Sequence, residues 1–377
     1  MTSGGPSLQS RAAPLAWAVF LGASWTWCIG MFLPVLLVRD FGAWAWVVFA
    51  VPNVIGAAAM AWVLPDASAS RAMVRRHALA CEWFSIVTLS FHAFFYASFI
   101  REIAGPPQMN WLVLFAVLAV LMVVRNGDLL AAALVTATSV VAAVVLFNRG
   151  VIPRFPAAVA PGPDLFYVAL VCTFGLMLCP YLDLTFHQAR QSTSPAGGRV
   201  AFAVGFGVVF LAMIVFTLSY TGWLAHLNVP LGTIVAVPLG IHLVAQTMLK
   251  LVLHGKAVVQ RRNLPGLMEM AVVVVMAALF GMFCLSTDFS YRGLSLAEIG
   301  YRCFMAFYGL VFPAYVWICI FGRGRLSTWL AAVIVAMPMY WLAYIERQMV
   351  WLVPGVAIVV LAGFMPKGQP KMRLTTD

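Results

Sequence analysis

The sequence predicts an all-α polytopic membrane protein of twelve transmembrane helices, with two five-helix halves in inverted orientation and two trailing helices. Three observations predict it. The 377 residues are 63% hydrophobic and 9% charged, with a mean hydropathy of +0.97, whereas a soluble domain carries about 25% charged residues. Apolar segments of the length needed to cross a bilayer, about 20 residues, recur along the whole chain. The basic residues between them fall mostly on one side when the segments are counted as crossings.

Spans are expected near 14–37, 42–64, 78–100, 110–124, 128–147, 163–186, 199–222, 228–252, 266–285, 296–321, 327–345 and 349–365. The segment 110–124 is short, and only a tight turn at Glu346-Arg347 joins the last two. The first span follows a polar start with a single Arg. It runs about 24 residues without a small-residue cleavage site, so it reads as a retained helix and not a signal peptide. With the N-terminus cytoplasmic, the inside holds sixteen Lys and Arg: Arg11, Arg71, Arg75, Arg76, Arg125, Arg190, Arg199, Lys250, Lys256, Arg261, Arg262, Arg323, Arg325, Lys367, Lys371 and Arg373. The outside holds six: Arg39, Arg101, Arg149, Arg154, Arg292 and Arg347, while Arg302 falls within a span. That bias follows the positive-inside rule. A missed helix would swap the later loops and blur it. Both termini are therefore expected in the cytoplasm, as short tails 1–13 and 366–377, and the minimal loops favour a bacterial inner membrane.

The net charge of +11 follows the loops and not a nucleic-acid-binding face. The basic cluster Lys256 to Arg262 lacks aromatic interleaving and reads as an inside loop that touches anionic lipid. Seven cysteines (Cys28, Cys81, Cys172, Cys179, Cys284, Cys303, Cys319) lie in apolar segments without CxxC or a histidine at metal spacing. They read as buried small hydrophobes, with no metal or other cofactor implied. P-loop, GxSxG and HExxH motifs are absent, so the chain is not expected to be an enzyme.

Spans one to five cover 14–147 and spans six to ten 163–321, with the trailing pair at 327–365. Five is odd, so the second half enters from the opposite side of the membrane and any repeat is inverted. The first and sixth spans are interrupted in matching places: Gly22-Ala-Ser24-Trp-Thr26-Trp-Cys28-Ile-Gly30 through Pro34, and Phe174-Gly175-Leu-Met-Leu-Cys179-Pro180 through Asp183. A helix break in lipid leaves backbone groups that protein, water or ligand must cover. Such breaks in corresponding helices of two halves point to a transporter's binding site. At the offset of about 150 residues between the halves, His92 on span three meets His242 on span eight.

This arrangement resembles the leucine-transporter fold of the amino acid–polyamine–organocation superfamily, and in texture the sodium/solute symporters. Phe174-Gly175, Pro180, His187 and Arg190, with Arg199 beyond, are similar to the motif around that family's broken sixth core helix, and Gly22-Ala23-Ser24 with Gly30 to its first. The resemblance covers roughly 14–321 as architecture and the two short stretches as motif. It implies a small organic solute bound between spans one, three, six and eight. Those symporters carry adjacent Ser/Thr residues on the eighth core helix for the coupling sodium. Here Pro238-Leu-Gly240-Ile-His242-Leu-Val-Ala-Gln246-Thr247 has none at its middle, so coupling to protons or to nothing is expected.

The residues singled out follow from these breaks. Ser24, Thr26, Gly30, Gly175 and Cys179 are expected at the unwound points, with Cys28 between them. There the freed N–H groups attract anions and the freed carbonyls cations. Trp25, Trp27, Phe32, Phe174 and Tyr181 can wall a pocket or cage an ammonium, or serve as ordinary packing. Ionisable groups in lipid are functional candidates by default: His92 on a polar face with Ser85, Thr88 and Ser90, and His242 one turn from Gln246. Asp183 is expected to pair with Lys250 or Arg190 and gate the inner path. Glu82 and Glu269 are expected to reach loop charges near Arg76 and Arg262, and Glu298 to pair with Arg302. A non-transporting sensor or assembly subunit on the same scaffold is the alternative expectation. A membrane-embedded transferase using Asp183 and His187 is a minor one.

Overall fold

A computed structural model describes residues 8–100, 127–154, 162–224 and 233–365. The expected span 110–124 and the C-terminal tail lie outside the described residues. The chain is an all-α, multi-pass membrane protein. Among the described residues nine helices are long and apolar enough to cross a membrane, and ten if one bent pair counts as a single span.

That pair is α1 (Leu8–Trp25) and α2 (Cys28–Phe41), whose axes differ by 54°. Then come α3 (Trp44–Val63), the short α4 (Ala67–Arg76), α5 (Ala78–Ile100) and α6 (Gly127–Asn148). The second broken element is α7 (Pro163–Leu178), a 3₁₀ turn (Cys179–Leu182) and α8 (Leu184–Gln191). After it run α9 (Pro195–Thr221), α10 (Thr233–Val259), α11 (Leu264–Leu285), α12 (Leu296–Phe321), α13 (Leu326–Tyr344) and α14 (Leu352–Gly363). A two-residue hairpin, Ser290–Tyr291 with Leu294–Ser295, joins α11 to α12.

Helix starts carry side-chain caps for the first N–H groups, which have no partner within the helix. Asp66 accepts from Ser68 and Ala69 at α4, Ser194 from Gly197 at α9, Asn263 from Gly266 at α11 and Ser295 from Glu298 at α12. Outward faces are apolar: Val51 and Ile55 on α3, Val141 and Val144 on α6, Val272, Val275 and Met276 on α11. Exposed apolar surface on this scale marks a membrane-facing belt. In α11 only 11% of the hydropathy window is buried, against 83% in α5. So α5 is a central helix and α11 a peripheral one.

The packing runs in pairs. The first broken helix lies against α9, and α7 of the second lies against α3. α6 packs on α1 and on α10, while α12 packs on α7 and on α5. α5 crosses α10 directly. Lipid offers no hydrophobic drive between helices, so close backbone approach at small residues has to hold such contacts. Gly56 provides one: a Cβ there would lie 2.4 Å from Met177 Cα on α7.

One expectation needs correction. Cys303 is exposed on the bundle surface, not a buried hydrophobe. Glu82 and Glu269 reach a loop charge as expected, both bonding Arg262, at 3.1 and 2.9 Å. Arg262 lies over the Trp83 ring at the same end of the bundle. The pair Glu298–Arg302 forms as expected, at 2.7 Å.

Gly56→Ala is expected to cost about 1–3 kcal/mol by overpacking α3 on α7. Gly207→Ala, which meets nothing within 4 Å, should leave stability unchanged. Thermal unfolding of the purified protein in detergent distinguishes them, and equal midpoints would contradict the assignment.

Candidate functional site

Both interruptions are real breaks, and they face each other across the middle of the bundle. The first unwinds at Thr26 and Trp27, with Trp27 extended at φ −86°, ψ 177°. The second tightens to 3₁₀ at Cys179 and opens at Asp183, at φ −77°, ψ 113°. Between them is a cavity of ≈ 10 Å³ lined by Trp25, Trp27, Ile29, Gly30, Asn53, Leu176, Cys179 and Tyr308. That is about the room one water needs.

Ser24, Gly30 and Gly175 were expected at the unwound points, yet all three are helical. At the two glycines the missing Cβ serves close approach instead. A Cβ on Gly175 would lie 2.5 Å from the Tyr308 carbonyl of α12. Pro180 sits in the first turn of the 3₁₀ segment, where its missing N–H costs nothing.

Side chains from neighbouring helices serve the backbone groups that the first break releases. Lys250 Nζ on α10 donates to the Ala23 carbonyl and to Gln246 Oε1. Trp27 Nε1 donates to the Ser24 carbonyl at 2.5 Å. On the far side of the break, Cys28 N–H points to His92 Nε2 at 3.4 Å. His92 Nδ1 lies 2.7 Å from the Thr88 carbonyl, so Nδ1 carries the proton and Nε2 accepts. Tyr301 donates to the Cys28 carbonyl at 3.0 Å and Tyr220 to the Met31 carbonyl at 2.9 Å. All these groups are buried.

The predicted Asp183–Lys250 ion pair does not form. The ammonium is committed to Ala23 and Gln246, while Asp183 Oδ1 caps α8 by accepting from the Thr185 N–H and hydroxyl, both at 2.7 Å. Arg190 is not its partner either. It donates to the carbonyls of Leu64, Pro65, Thr193 and Ser194 and so fastens α8 to the α3–α4 turn. Next to it and outside the spans, the Ala69 N–H and Ser68 hydroxyl hold the Asp66 carboxyl below the usual carboxylate range. His187 bonds Ser70 at 2.8 Å and the Tyr181 carbonyl at 3.0 Å, so it forms no acid–base pair with the Asp183 side chain.

The remaining predicted residues divide. The Trp25 ring lies 4.4 Å from that of Trp27, tilted by 58°, and Trp25 donates to Asn53 Oδ1 at 2.6 Å, inside the site. Cys179 Sγ approaches the Tyr308 carbonyl at 3.3 Å, also inside. Phe32 and Tyr181 are buried but pack on Phe95, Phe99 and Tyr301, and on Phe321, respectively. Phe174 turns away, toward Trp317. His242 does not reach the cavity. It bonds Ser139 at 2.9 Å, and Gln246 reaches the same hydroxyl at 3.0 Å. Gln246 thus links His242 and Ser139 to Lys250.

Sequence reasoning missed Asn53, Tyr308 and His254. His254 bonds Ser85 at 3.2 Å and sits edge-on to Trp27 at 5.7 Å. The signal was available, because His242, Gln246, Lys250 and His254 repeat every four residues and make one buried polar stripe on α10. Asn53 is a lone polar residue in an apolar helix and carried no such pattern.

No protein-family model matches this chain. Curated proteins show no match to it either. The site therefore has to be read from its own chemistry. Among the described residues no group of three His, Cys, Asp or Glu side chains could hold a metal ion.

Charged clusters lie beyond the cavity at both ends. At one, Arg39 and Asp40 of α2 join Glu298 and Arg302 of α12 through contacts of 2.6–2.8 Å. At the other, Asp128 of α6 takes Lys256 of α10 at 2.6 Å and Gln188 of α8 at 2.6 Å. Both tie a half of a broken helix to the surrounding bundle.

Trp27→Phe keeps a ring but leaves the buried Ser24 carbonyl unpartnered. It should cost about 1–3 kcal/mol in detergent thermal unfolding. A midpoint equal to that of the unchanged protein would contradict the assigned bond.

Proposed function

We propose that the chain is a secondary transporter of the leucine-transporter architecture that binds a small organic solute at mid-membrane. The observation that carries this reading is the pair of helix breaks facing one cavity, with α5 and α10 supplying the side chains that serve the first of them. Ten described spans, the short apolar helix at the C-terminal end and segment 110–124 make twelve. The pairing of helices supports an inverted repeat of 14–147 and 163–321: α3 on the second broken helix answers α9 on the first, and α12 on α7 and α5 answers α6 on α1 and α10. Loop charge supports cytoplasmic termini, so the Asp128–Lys256–Gln188 cluster is the inner closure and the Arg39–Glu298 cluster the outer one. A bacterial inner membrane remains the expected location.

Lys250 bears on coupling. The carbonyl end of a broken helix attracts cations, and at Ala23 the Lys250 Nζ already donates to that end. This favours a cycle that does not require sodium. The alternative, a non-transporting subunit on the same scaffold, draws on the same observation together with the water-sized central cavity. The reading assigns no enzymatic step.

Sidedness separates the two. In proteoliposomes of known orientation, with Cys179 as the sole cysteine, a membrane-impermeant methanethiosulfonate should label it from either face. Asp128→Asn should raise inner-face labelling several-fold. Its effect on stability should stay below about 1 kcal/mol, because the Lys256 end of the pair is one-third exposed. Labelling from one face only would contradict the transport reading.

A further inference from the structure

The wall of α2, α7 and α12 holds a second cavity, of ≈ 80 Å³, with Asp40 and Arg302 at its mouth and Leu37, Val171, Cys172 and Met305 among its apolar sides. On the measure by which one water needs about 10–15 Å³, this is room for several, and an apolar cavity about twice as large takes benzene, so a ring ligand needs the chamber to widen. It shares Leu176 and Tyr308 with the cavity between the breaks. Two side chains therefore separate an outer chamber from the central one.

Most polar groups in these walls are already engaged, the Asn53 amide N–H₂ in the central cavity being an exception. In the central cavity, Asn53 Oδ1 is bound by Trp25 Nε1, Trp27 Nε1 by the Ser24 carbonyl, Cys179 Sγ by the Tyr308 carbonyl and the Tyr308 hydroxyl by Thr88 at 3.0 Å. No Lys, Arg, Asp or Glu lines it. In the outer cavity, Arg302 and Asp40 bind each other at 2.6 Å, and the Tyr301 hydroxyl is donated to Cys28. The Tyr344 hydroxyl is the remaining polar group in that wall. A charged ligand would have to displace the Asp40–Arg302 pair to find a counter-charge in the outer chamber and would meet none in the central one, and an unpaired buried charge is costly. Aromatic walls suit a flat apolar ring in offset or edge-on contact.

We propose that the two cavities form one route for a small uncharged aromatic solute, held first in the outer chamber and passed inward when Tyr308 and Leu176 part. The proposal rests on the transport reading for the direction of travel but not for binding. It excludes amino acids and other zwitterions as the preferred cargo.

The test is equilibrium binding of radiolabelled indole to the full chain in lipid nanodiscs, with empty nanodiscs subtracted. Tryptamine, indole-3-acetate and tryptophan serve as competitors that place a cation, an anion and a zwitterion on the same ring. Saturable indole binding is expected, with each charged competitor weaker by about tenfold or more. Cys172→Phe and Leu37→Phe, which fill the outer chamber from opposite walls, should each weaken indole binding similarly. Gel filtration identifies which variants are folded, and one folded variant suffices. Absence of saturable indole binding to the unchanged protein, competition by tryptophan equal to that by indole, or full binding in a folded filled variant would each overturn the proposal. Indole binding together with one-sided Cys179 labelling would overturn the transport reading alone. Two-sided labelling without indole binding would overturn this proposal alone.

Discussion

A helix interrupted at membrane depth has to find partners for the backbone groups it releases, and that constraint organises this molecule. Without water, each unmatched N–H or C=O costs several kcal/mol. At the break between α1 and α2 the answer is a set of side chains. Lys250 and Trp27 serve the carbonyls of Ala23 and Ser24, and His92 faces the Cys28 N–H. α5 and α10 are held at the centre because they bring those side chains. The other residues of the α10 stripe follow from the same need: Gln246 shares the ammonium, Ser139 anchors Gln246, and His242 completes the set. A buried polar network is tolerable when most of its members are matched, and here Nε2 of His242 and of His254 are left without a partner.

The same arithmetic explains why the cavities are apolar. Most polar groups near the breaks are spent on backbone and on one another, Asp183 Oδ2 excepted. The ion pairs that bind the broken helices lie at the two ends, where α2 meets α12 and where α8 and α10 meet α6. These are also the places where halves of the broken helices meet the rest of the bundle. A structure with rigid central packing and ionic closures at its ends suits motion of the short half-helices against a fixed frame.

Much of this was legible in the sequence. Hydropathy located nine or ten of the expected spans among the described residues, and the Gly/Pro punctuation found both broken helices to within a few residues. It misassigned the reason for the glycines. Gly175 was read as an unwinding point, whereas its lack of a Cβ admits the Tyr308 carbonyl, a contact with a helix some 130 residues away that no local pattern records. Asp183 and Lys250 were paired by proximity and opposite charge. Each found a nearer backbone group, because a capping N–H and a helix-end carbonyl are fixed in place while an ion pair across the cavity would first have to give those up. His254 was visible as the fourth member of an i,i+4 stripe. Asn53 and the docking of Arg190 on Leu64 depend on tertiary contact alone.

The central claim is that Lys250 holds the first break in shape. An experimental structure of Lys250→Met in lipid nanodiscs tests it most directly. The account predicts that residues 23–28 change conformation or that a new donor joins the Thr26 N–H on the Ala23 carbonyl, while α5 and α10 keep their places. An unchanged break, with that carbonyl left to the Thr26 N–H alone, would contradict it.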